Sequence, residues 1–148
     1  MEPHRSHCPV NLCVEVVGDK WTLLILRDMI FYNRRHFNEL LRLSEEGIAS
    51  NILRDRLAML EREGMVTKGR LPEDVHKQKV TYSLTEKSID LLPLFVEAIG
   101  WSAKHLQVDC EKYKPALELR AGGPAALEYV RQKLLREHVI HAAGASQP

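Results

Sequence analysis

The chain has 148 residues, with 21 Lys+Arg against 20 Asp+Glu and a formal net charge of +1. At 45% hydrophobic and 28% charged, it has the composition of a globular protein and is too apolar for a disordered chain. Near-neutrality excludes a uniformly basic coater of nucleic acid.

The length suits one domain that buries roughly 70% of its unfolded surface. No apolar run approaches the ~18 residues of a membrane span, and Met1–Arg5 lacks the apolar stretch of a secretory signal. Three cysteines (Cys8, Cys13 and Cys110) are too few for a disulfide framework. The expected location is the reducing cytoplasm.

In chain order, residues 1–10 read as an irregular arm. Leu12, Val16 and Val17 mark a short helix closed by Gly18, and Asp19 suits the N-cap of the next one. That helix, from Lys20 to Ile30 or Phe31, is apolar on most sides and so is expected to be central. A basic turn, Tyr32 to Arg35, leads into a short helix with Phe37, Leu40 and Leu41 on one face. Ser44 to Gly47 is a loop, and a fourth helix runs from Ser50 to about Glu63, with Gly64 as its left-handed terminator. Alternation then predicts two strands, Met65–Arg70 and Val80–Leu84, joined by a charged loop. Thr85 caps a long helix, Glu86 to Leu106, with a kink expected at Pro93. Beyond it, Lys114-Pro115 and Gly122-Gly123-Pro124 read as breaks. A further helix spans about Ala125 to His138, and the last seven residues are expected to fray.

Two helices joined by a short Gly-containing loop and followed by a hairpin describe a mainly α winged helix-turn-helix. At about 100° per residue, Leu53, Leu57 and Leu60 fall on one side of the fourth helix, while Asn51, Arg54, Asp55, Ala58 and Arg62 fall on the other. Arg54 can form a bidentate pair with guanine and Asn51 with adenine. Ala58 permits close approach, and Ser50 at the helix entrance suits a phosphate. Arg56 points sideways, toward the flank of the core. Arg70, His76, Lys77 and Lys79 gather at the hairpin tip, opposed by Glu73 and Asp74. A basic tip is what a wing needs along phosphates or in the minor groove. Arg34 and Arg35, before the supporting helix, are placed for backbone contact. Residues 34–82 hold 10 Lys+Arg and 8 Asp+Glu, so positive charge is concentrated at three points, and dimerisation would double them.

The stretches "CPVNLCVEVVGDKWTLLILRDMI", "RRHFNELLRL", "GIASNILRDRLAMLEREGMV" and "VTYSLTEKSIDLLPLF" strongly resemble the HxlR-type winged-helix transcriptional regulators, over about residues 8–106. The resemblance implies a homodimeric, cytoplasmic regulator that binds double-stranded DNA, more often a repressor. Its dimer interface would use the first and last helices: Leu12 and Val16, with Leu91, Leu92, Phe95, Val96, Ile99 and Trp101. Many relatives carry Ser-Pro where this chain has Ser50-Asn51. The family domain is expected over residues 11–106, with 107–148 as a partly helical extension.

Cys8 matches the N-terminal cysteine through which some family members sense oxidants, a role that needs an exposed, ionisable thiol. Protonated His4 and His7 could lower its pKa. In a dimer of this type Cys110 could return near the partner's N-terminal segment, so an intersubunit Cys8–Cys110 disulfide is an open alternative to an inert pair. His4, His7, Cys8 and Cys13 fit no strong zinc spacing, so no metal or other cofactor is expected. The chain has no phosphate loop, G-x-S-x-G or H-E-x-x-H, which argues against an enzyme. The competing reading is a winged helix used only for protein–protein assembly. The effector is not written in these residues.

Overall fold

A computed structural model describes residues 3–69 and 80–140. The chain forms two compact units, one up to Ser83 and one from Leu84 onward.

The first unit is built on α1 (Pro9–Val17), α2 (Thr22–Tyr32), α3 (Phe37–Arg42) and α4 (Ser50–Arg62). Ile25, Leu26, Met29 and Ile30 of α2 are buried, as are Leu40 of α3 and Leu53, Leu57 and Leu60 of α4. Helix α2 is therefore the central element that its apolar sequence predicts. Asp19 works as a cap from two residues ahead of the N-cap residue, Trp21. Its carboxylate accepts the N–H groups of Trp21 at 2.9 Å and Thr22 at 3.1 Å, and the Thr22 hydroxyl. Asn33 ends α2 in the left-handed region at φ 50°, which Asn tolerates better than most residues. Gly64, at φ 69°, ends α4 as expected. Strands β1 (Val66–Gly69) and β2 (Thr81–Leu84) form a two-stranded antiparallel sheet. The fold is mainly helical with a small hairpin, a winged helix-turn-helix.

In the second unit, the long helix expected over Glu86–Leu106 is two helices, α5 (Glu86–Ile89) and α6 (Leu92–His105). Pro93 does not kink a continuous helix. It lies in the first turn of α6, where its missing N–H would have had no partner inside the helix. The same logic shapes the extension: Pro115 opens α7 (Lys114–Ala121) and Pro124 opens α8 (Gly123–Leu134). A π-helical turn, Leu135–Ile140, continues α8. The unit's core holds Leu84, Ile89, Leu92, Phe95 and Leu134. His138 joins them at 1% exposure, its Nδ1 accepting the backbone N–H of Leu84 at 3.0 Å. Arg131 spans Asp90 at 3.1 Å and Glu86 at 3.2 Å.

Candidate nucleic-acid interface

Helix α4 divides as its sequence predicts. The leucine seam is buried, and Ser50, Asn51, Arg54, Asp55, Ala58 and Arg62 are exposed. Arg54 lies over the Phe37 ring, 5.8 Å from its centroid. Arg56 points sideways, its Nε 3.2 Å from Asp19 and its Nη1 3.1 Å from Asp55. The pair with Asp19 ties α4 to the start of α2. Asp19 is partly buried, which by itself favours its neutral form. The Thr22 hydroxyl, the N–H groups of Trp21 and Thr22 and the Arg56 charge outweigh that and hold its pKa below the usual range.

The basic turn before α3 is engaged inside the unit. Arg34 is 3.3 Å from Asp28, donates to the Leu43 carbonyl at 2.9 Å, and stacks on Tyr32 at 4.6 Å. Arg35 donates to the Tyr82 carbonyl at 3.1 Å and to the Ser83 hydroxyl at 2.5 Å. Its own carbonyl accepts the Tyr82 N–H at 2.8 Å. Both guanidinium groups thus hold scaffold together. Arg70, His76, Lys77 and Lys79, with Glu73 and Asp74, lie outside the described residues.

A charge network missed by the sequence reading steadies the turn between α3 and α4. Arg27 grips Glu46 through two bonds of 2.7 and 3.0 Å, and Asp28 through bonds of 2.8 and 2.9 Å. Asp28 is only 4% exposed and takes both Arg27 and Arg34. An aspartate inside an otherwise apolar helix was the available signal, since a buried carboxylate demands a cation. The Arg27 bond is the main cause that holds the Glu46 carboxyl below its usual pKa.

Cys8 is exposed and sits at the N-cap of α1. Its thiol pKa is lowered by the backbone N–H groups of Asn11 and Val10, not by the histidines the sequence suggests. Helix-end donors stabilise a thiolate. His4 instead meets Glu15 at 2.7 Å, and the Arg5 N–H donates to the same carboxylate at 2.9 Å. Together they bring Glu15 down to about 2, Arg5 first. Cys13 is half-buried and Cys110 exposed. Among the described residues no group of three His, Cys, Asp or Glu side chains could hold a metal ion.

The expected dimer residues separate into two kinds. Leu92 and Phe95 are buried in the chain's own second unit, which removes them from the surface. Leu12, Val16, Leu91, Val96 and Ile99 are half-buried, and Trp101 is exposed. On α1 the exposed apolar residues are Val10 and Val14.

Residues 16–110 match the model of the HxlR-like helix-turn-helix family. The chain belongs to that family. It is 32% identical over 115 residues to the HTH-type transcriptional regulator YybR of Bacillus subtilis, covering 76% of this chain and 86% of YybR. It is 36% identical over 97 residues to the HTH-type transcriptional regulator Rv3095 of Mycobacterium tuberculosis, covering 66% of this chain. The match spans 58% of the mycobacterial relative's length. Among solved structures, the redox regulator HypR in its oxidised form matches at 30% identity and TM-score 0.55, over 68% of this chain and 100% of HypR. Reduced YodB, a transcriptional regulator of B. subtilis, matches at 27% identity and TM-score 0.53, over 68% and 95%.

Proposed function

We propose that this HxlR-family protein is a sequence-specific DNA-binding transcriptional regulator, a cytoplasmic homodimer acting as a repressor. The observation that carries this reading is the outer face of α4. Arg54, Asn51 and Ser50 stand exposed at its entrance, above a buried leucine seam. Arg54 reads guanine, Asn51 reads adenine, Ala58 allows close approach, and Ser50 takes a phosphate. The wing tip, Arg70 with His76, Lys77 and Lys79, supplies charge along the backbone or minor groove. Residues 1–10 form an arm, 11–106 the winged-helix body with its dimerisation helices, and 107–148 an extension. The dimer joins α1 to α6 through the half-buried and exposed apolar residues of those helices. No described helix is long and apolar enough to cross a membrane.

Control by a thiol is part of the proposal, with Cys8 as the reactive group. Its exposure and the backbone donors at the head of α1 support this, as does the likeness to a redox regulator. Cys110 is the candidate partner in a second subunit, provided the Cα atoms approach within about 7 Å.

The deciding experiment is selection of genomic DNA fragments by the purified protein, with and without a thiol reductant. The expected result is an enriched pair of half-sites about 34–36 Å apart, or a multiple of that, with enrichment that changes on oxidation. Recovery of random fragments would refute sequence reading. Identical recovery in both redox states would refute thiol control alone.

A further inference from the structure

Beside Arg54, within the first unit, lies a groove of about 480 Å3. It is lined by His36, Phe37, Asn38 and Glu39 at the start of α3, by Arg54 of α4, and by Val80 and Tyr82 at β2. This volume falls in the range of small-molecule sites, which combine apolar walls with a few placed polar groups.

The charges in the groove are unevenly matched. Glu39 is turned to His36, 3.8 Å away. His36 Nδ1 is 3.2 Å from the Val80 carbonyl and donates to it. Arg54 has no carboxylate within ion-pair distance among the described residues, and its guanidinium rests over the Phe37 ring. Phe37 and Tyr82 give the groove two aromatic walls, Asn38 adds an amide, and Arg54 supplies the positive charge that an anionic group would meet. A neutral ligand would leave the guanidinium unmatched, and a cation would be repelled by it.

We propose that this groove binds a planar aromatic anion, such as a ring-bearing carboxylate, and that its occupant competes with DNA for Arg54. The inference rests on the assignment of α4 as the reading helix, and gives that helix an effector site on its own exposed face. A carboxylate paired with Arg54 withdraws the guanidinium from the major groove, so occupancy weakens operator binding by up to the amount that loss of Arg54 does. No distant conformational relay is required.

The test titrates the full chain with 2-naphthoate and with its uncharged amide, followed by calorimetry, in the wild type, Arg54→Gln and Phe37→Leu. The wild type is expected to bind 2-naphthoate at least about tenfold more tightly than the amide. Arg54→Gln levels the two probes. Phe37→Leu weakens both by about fivefold, with circular dichroism melts confirming that each variant folds. In a parallel arm, 2-naphthoate raises the apparent Kd for a fragment recovered in the genomic selection, in step with its occupancy. Three results overturn the proposal: no uptake at millimolar probe, equal affinity for acid and amide, or tight uptake that leaves DNA affinity unchanged. DNA affinity without probe is read separately. Its absence refutes the assignment of α4, whereas its presence with no naphthoate uptake refutes only the groove.

Discussion

Arginines stand both in the turn ahead of α3 and on the outer face of α4, in opposite conditions. Arg34 and Arg35 spend their donors on Asp28, the Leu43 and Tyr82 carbonyls and the Ser83 hydroxyl. Among the described residues Arg54 has no ion-pair partner, and its guanidinium lies over the face of Phe37. The contrast teaches that a positive charge seen in a sequence can already be partly committed to the scaffold. A guanidinium has five donors in a fixed fork, and the turn engages some of them, Nη1 of Arg34 and Nε and Nη2 of Arg35 among them. What the turn gains is rigidity in the frame that holds α4, and what α4 keeps is an exposed arginine, Arg54.

Several measurements would break or sharpen this contrast. The largest effect is expected on the turn side. Asp28→Ala removes a buried carboxylate from two arginines, and should cost about 3–5 kcal/mol of stability in urea denaturation. A loss below about 1 kcal/mol would place Arg27 and Arg34 among ordinary surface charges. On the α4 side, Arg54→Ala should leave the urea midpoint unchanged while weakening the best DNA site by about 1–3 kcal/mol and relaxing discrimination at one base. Unchanged affinity there would remove Arg54 from the readout.

Arg35→Ala tests the contrast from the other direction. It should lower stability by about 1–2 kcal/mol through the lost bonds to β2. The slope of DNA affinity against salt should not move, whereas a direct phosphate contact would flatten it by about one.

The smallest effect concerns Arg5, an exposed arginine of the arm that acts through its backbone N–H. Its N–H and His4 hold the Glu15 carboxyl at about 2, against the usual 4.5. A carboxyl lowered on folding stabilises above its ordinary pKa and loses that contribution as pH falls through the folded value. The arm should therefore stay docked at neutral pH and release between about pH 4.5 and 2. NMR shifts of the Arg5 amide that stay constant over that range would contradict the pairing.

The parts legible in the sequence are those governed by local periodicity. The leucine seam of α4, the left-handed Gly64 and the burial of α2 all follow from spacing and residue type. Arg35 was not legible, because its acceptors stand 47 and 48 residues later and no local pattern marks them. The division at Asp90–Leu91 was missed for a different reason. Proline suits both an internal kink and a first turn, and the break is made at Asp90 and Leu91, the C-cap of α5 and the N-cap of α6. Ser88 takes the Thr85 N–H at 3.1 Å and opens α5, while the Leu91 N–H bonds back to the Ser88 carbonyl at 3.0 Å and the Leu94 N–H to the Leu91 carbonyl at 2.9 Å, tight turns that part the two helices. Within the site, Arg54 and Asn51 were readable from the helical wheel, and the role of Arg27 and Glu46 was not.

The bond between His138 and Leu84 also bears on how the protein is made. The second unit begins at Leu84, and that residue's N–H waits for a ring 54 positions later. During synthesis, chains fold unit by unit from the N-terminus. The first unit, which ends at Ser83, can close while the ribosome is still building α7 and α8. The second unit cannot bury its histidine until the last helical turn has emerged.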